Sequence, residues 1–189
     1  AALPTPPRDA LLFVDRTDEL AQLEAHLAAA LTGQGRALFV VGDAGEGKSA
    51  LIREFVQRAL DAHPTLLVAG GHCSSHRGVG DPLLPFREIL AQLTCDFTIH
   101  QAASWLSRDQ AQRLYQALPH MLDALLTHAP DLIDVLIPRL ALAERVTLLL
   151  GDQPWRQRLA NHNGRAAPFV GAADLQRRAL FAQFTKLIQ

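Results

Sequence analysis

The chain has 189 residues, 49% hydrophobic and 20% charged, with a formal net charge of -1, the composition of a globular domain or part of one. It lacks the basic surplus that phosphate-backbone binding requires and has only 6% aromatic residues for base stacking, which argues against direct nucleic-acid binding. No apolar run approaches the ~20 residues of a membrane span, and no basic start leads into a long apolar stretch, so no membrane partner and a cytoplasmic location are expected.

Residues 1–10 are proline-rich and read as a flexible lead-in. A helix is predicted from Thr17, which can cap it, with Asp18 and Glu19 in the first turn. Leu20, Leu23, Leu27 and Leu31 form its apolar stripe, and Gly33 ends it. "ALFVV" (37–41) is a continuous apolar run with β-branched residues, as in a strand buried on both faces of a parallel sheet. Leu51, Ile52, Phe55, Val56, Ala59 and Leu60 mark a helix closed by His63-Pro64, and "TLLVA" (65–69) reads as a second buried strand. Together these make one βαβ unit.

Beyond this point the pattern is mainly helical. "DPLLPFREILAQL" predicts a helix with prolines at its start. Ser107 and Gln110 fit a capping box for a long helix through Leu126, kinked at Pro119. Ile133–Leu150 fits helix or strand, "GDQPWRQRLANHNGRAAPF" reads as a loop, and the last segment reads as helix from Ala172 or Asp174. The expected fold class is α/β: a P-loop nucleotide-binding fold with a partial parallel sheet flanked by helices and a largely helical C-terminal half. The βαβ core with its N-terminal helix covers 11–96, a helical insert and loop 97–171, and a closing helix 172–189.

The segment Gly42-Asp43-Ala44-Gly45-Glu46-Gly47-Lys48-Ser49 fits G-x-x-x-x-G-K-[ST], between a predicted strand and a predicted helix. Glycines let the backbone curl until several N–H groups point at one anion, and the helix start adds unpaired N–H groups and the positive end of its dipole. Lys48 then reaches the β- and γ-phosphates and Ser49 holds Mg²⁺, so the candidate contacts run from Gly42 through Ala50. Asp43 and Glu46 place two acids in a loop meant for a polyanion. With the N–H groups turned inward, their side chains are expected to face solvent, where repulsion is screened. Guanine recognition uses N/T-K-x-D, and "TKLI" (185–188) lacks the aspartate; ATP is the expected nucleotide.

Three further stretches carry a resemblance. "FVDRTDELAQLEAHL" resembles the FVGRExEL opening of the STAND signalling ATPases, relatives of AAA and origin-recognition ATPases. "GGHCSSHRGVGDPLLPFREIL" resembles the segment after their second strand, and "ADLQRRALFAQFTKLIQ" the helix leading into their Walker B strand. The resemblance implies that Phe13, Val14 and Arg16 approach the adenosine, while Asp15 stands where the family usually has Gly. It also implies an ATP-dependent switch, with other domains of the parent chain and self-association on ATP binding as partners. On this reading the chain ends before Walker B, as most of the first half of a domain, and a sheet of its two strands would expose unpaired edges.

A P-loop ATPase needs an acid after an apolar strand, and usually a neighbouring Glu. Asp152 in "VTLLLGD" is the one candidate, without a second acid beside it, and reads rather as a loop residue. Two alternatives stay open. One is a compact small-molecule kinase with Arg156, Arg158 and Arg165 in a lid; the other is a nucleotide-binding interaction module that does not hydrolyse ATP. The two cysteines, Cys73 and Cys95, stand in no repeated spacing and suit free thiols. His72, Cys73, His76 and Asp81 fit no strong zinc pattern and read as surface loop, while Trp105, Tyr115 and Met121 read as packing.

Overall fold

The computed structural model describes residues 16–73, 81–97, 107–151, 154–161 and 173–187. The chain divides into two compact units, Ala1–Leu66 and Leu67–Gln189.

The first unit is built on helices α1 (Thr17–Leu31) and α2 (Lys48–Ala62). Arg16, not Thr17, holds the N-cap position of α1, and no side chain caps it; Asp18 and Glu19 lie in the first turn, where the helix dipole favours acids. At the other end Gly33 takes φ +87°. Leu20 and Leu23 are buried with Leu51 of α2, and Ile52 and Phe55 pack against them. The predicted stripe therefore works only in its first half, since Leu27 is half-buried and Leu31 exposed.

The chain between α1 and α2 corrects a prediction. Residues 37–41 pair with nothing: among the described residues there is no strand, only an isolated bridge between Ile133 and Ile137. Phe39 is 90% and Val41 89% exposed. An apolar run is buried in a parallel sheet only when strands flank it and helices cover both faces, and the described residues supply no such strand. The expected parallel sheet is thus missing from them.

The run predicted as the next strand begins in a turn at Thr65, and residues 66–73 belong to no helix or strand ladder. One edge of it is satisfied by side chains instead. The amide of Gln92, on helix α3 (Leu84–Leu93), accepts from Gly70 N–H at 3.2 Å and donates to the Gly70 carbonyl. Glu88, one turn earlier, accepts from His72 N–H at 2.6 Å, and Gln110 of helix α4 (Arg108–His128) donates to the Val68 carbonyl at 2.6 Å. Residues 68, 70 and 72 present their backbone groups to the same edge, because alternate residues of an extended chain share a direction. Glu88, Gln92 and Gln110 are each 2% exposed, so three buried polar groups stand where a neighbouring strand would. Gly71 is required here, because a Cβ would overlap the backbone of Pro85.

Helix α4 forms half of the expected capping box: Ser107 Oγ accepts from Gln110 N–H at 3.1 Å, but the Gln110 amide turns to Val68 instead of back to Ser107, and the helix runs through Pro119 to His128. Leu114, Leu118, Leu122 and Leu125 lie on one face and are fully buried, as a 3.6-residue period demands. After a 3₁₀ turn, Pro130–Leu132, the ambiguous stretch resolves into helix α5 (Arg139–Leu150), burying Leu142 and Val146. The stretch read as a loop contains helix α6 (Pro154–Asn161), with proline at its first position, where the missing N–H costs nothing. Its Leu159 is buried, and its Arg158 lies over Trp155 and pairs with Asp123 at 2.7 Å. Helix α7 (Ala173–Leu187) brings Leu180 and Phe184 to the core, with Phe86 edge-on to Phe181 and Phe184. Its Gln183 ties back to Asp131 through two hydrogen bonds, at 3.0 and 2.6 Å.

Cys95 closes α3 in a left-handed conformation, φ 60°, and is buried. Burial pushes its thiol from 9.0 up to about 11, and the nearby Arg145 guanidinium offsets part of that rise. Arg145 itself pairs with Asp96 and donates to the Thr94 carbonyl at 3.1 Å, linking α5 to the end of α3. Tyr115 packs edge-on against Phe97, and Met121 is half-buried on α4.

Candidate functional site

The phosphate-loop residues lie in the first unit and form a glycine turn that leads into α2. Gly45 (φ +90°) and Gly47 (φ +78°) both sit in the left-handed region, where a side chain is strained. Between them Glu46 N–H donates to the Asp43 carbonyl at 3.3 Å, closing the turn. Gly47 occupies the N-cap of α2 and Lys48 is its first residue, followed by Ser49, exposed, and Ala50, half-buried.

No side chain caps α2. The first N–H groups of a helix have no partner within it, so this turn presents donors and the positive dipole end to an anion. Lys48 Nζ reaches back across the loop and donates to the carbonyls of Gly42 at 2.8 Å and Asp43 at 2.6 Å. The ammonium is thereby held over the loop entrance. These residues fit a bound nucleotide with its metal: uncapped donors at a helix start, a positioned cation, and a hydroxyl one residue beyond it.

One placement differs from expectation, and one adds a contact that the sequence did not announce. Glu46 does not face away from the loop; its Oε2 accepts from Asp43 N–H at 2.7 Å. Arg16, expected on the adenosine side, has its guanidinium on the Glu46 carbonyl, within the same unit. Phe13, Val14 and Asp15 lie outside the described residues, as do His76, Trp105, Asp152 and Arg165. Of the arginines suggested for a lid, Arg158 is engaged by Asp123 and Trp155 within the helical unit. His72 Nδ1 lies 3.3 Å from Glu88, and no cluster of three His, Cys, Asp or Glu suited to a metal occurs among the described residues. None of the described helices is long and apolar enough to cross a membrane.

The buried polar trio Glu88, Gln92 and Gln110 escaped the sequence reading. Glu88 and Gln92 stand four apart within a helix whose remaining residues are apolar except Arg87, a spacing that puts both on its inner face, and this was the available signal.

A glycine-rich turn with two left-handed glycines, a lysine folded over it and an uncapped helix behind it define a P-loop nucleotide-binding domain. The AAA ATPase domain family matches residues 12–189, and the chain belongs to that family. Members of the family bind ATP with Mg²⁺. No curated protein matches the chain, and neither does any solved structure.

Proposed function

We propose that this chain is the ATP-binding module of a multidomain signalling ATPase of the STAND type, in which Mg²⁺-ATP acts as a switch. The observation that carries the reading is the Lys48 ammonium held over the loop by two backbone carbonyls, beside the uncapped start of α2. Backbone N–H groups from Gly42 to Ala50 surround the phosphates, Lys48 neutralises the β- and γ-phosphates, and Ser49 Oγ takes Mg²⁺. Val14 and Arg16 serve the adenosine side, and Arg16 also holds the loop through the Glu46 carbonyl. Phosphate binding biases the arrangement of this module against other domains of the parent chain, and self-association follows the ATP state.

Calorimetric titration of Mg²⁺-ATP, ADP and GTP into the chain, beside Lys48→Ala, tests this. Binding selective for adenine nucleotides and lost in Lys48→Ala is the expected result. Equal binding of ATP by both proteins would place the nucleotide elsewhere and refute the assignment.

A further inference from the structure

Besides Lys48, Glu46 turns its side chain back onto the loop itself. Its Oε2 accepts from Asp43 N–H, and its position depends on glycine at 42, where a Cβ would overlap that same oxygen. The Cδ of Lys48 also lies against this point of Gly42, so carboxylate and lysine stem share one side of the loop. The loop thus carries an anion of its own, hydrogen-bonded to a loop amide next to the ammonium meant for phosphate.

We infer that the Glu46 carboxylate competes with the nucleotide phosphates for the phosphate loop and acts as a built-in brake on binding. This rests on the reading of the loop as an ATP site. Two physical effects work together. A polyanion entering the loop meets a like charge at close range, where screening by salt is incomplete. To relieve it the carboxylate must swing out and give up its bond to Asp43 N–H, a charge-assisted contact stronger than a neutral one. Release is feasible because Glu46 is exposed. The Arg16 bond to the Glu46 carbonyl keeps the backbone in place while the side chain moves.

The test compares Mg²⁺-ATP and Mg²⁺-ADP binding by the full chain with Glu46→Ala, which removes both acceptor and charge, and Glu46→Gln, which removes only the charge. Circular dichroism checks that each variant folds. Glu46→Ala is expected to bind ATP about tenfold tighter, the equivalent of ~1.4 kcal/mol, with Glu46→Gln between it and the parent. The gain should be larger for ATP than for ADP and shrink at high salt. Folded variants that bind no tighter than the parent overturn the inference and leave the ATP site standing. If parent and variants alike bind no nucleotide, the ATP reading fails and the inference with it.

Discussion

The two units of the chain solve opposite problems. Among the described residues the second buries a continuous core, from Leu90 of α3 through the leucine face of α4 to Phe184 of α7, with Leu118, Leu122 and Leu125 wholly excluded from solvent. Among the described residues the first clusters Leu20, Leu23 and Leu51, backed by Ile52 and Phe55, buries Ala59 and Leu60 outside that cluster, and leaves Phe39 and Val41 to water. The unit that carries the phosphate loop is therefore the thinly packed one. Since stability follows buried apolar area, the helical unit should open last and the loop unit first. Low local stability suits a binding loop that must exchange internal hydrogen bonds for those of a ligand.

The sharpest way to break this contrast is to cut into the stronger unit. Leu118→Ala or Leu122→Ala removes a fully buried side chain and should cost about 2–5 kcal/mol, read by denaturant unfolding. A loss no greater than that of Leu23→Ala would mean the two cores are equally loose.

A second test uses the thiols. Cys73 is exposed, whereas Cys95 is buried in the helical unit with its thiol pushed up to about 11. Near pH 8 alkylation should mark the exposed Cys73 first, because the rise from 9.0 to about 11 lowers the Cys95 thiolate population about 100-fold below that of an unshifted thiol, before burial adds to the protection. The same shift fixes a sign for stability. Between pH 9.0 and about 11 the unfolded thiol loses its proton while the folded one keeps it, so stability falls as pH rises through that window. Equal labelling of both cysteines would show that the core around α3 is open.

The smallest expected effect lies at the exposed run. Phe39→Ser should change unfolding free energy by no more than about 0.5 kcal/mol, as at other surface positions. A loss of several kcal/mol would mean that Phe39 is buried in the protein in solution.

Legibility in the sequence followed the range of the interactions involved. The glycine turn and the start of α2 were legible, because glycine dihedrals and a helix start are local facts, whereas the Glu46 carboxylate on Asp43 N–H was not. The start of α4 was readable for the same reason, with Ser107 placed to cap it. The sheet was not. Residues 37–41 have the composition of a buried strand, but burial depends on neighbours that the run itself does not specify. The stretch holding α6 looked like loop because it is polar, and Leu159 and Trp155 make it pack only through partners in distant helices. Gln110 shows both levels at once: its N–H meets Ser107 as local pattern predicts, and its side chain reaches Val68, which no pattern announced.

The most direct measurement is amide hydrogen exchange of the chain with and without Mg²⁺-ATP, with Lys48→Ala in parallel. The account predicts faster exchange in the loop unit than in α4 before nucleotide is added, then protection over residues 42–50 that Lys48→Ala lacks. Protection that bypasses 42–50, or that appears equally in Lys48→Ala, would contradict it.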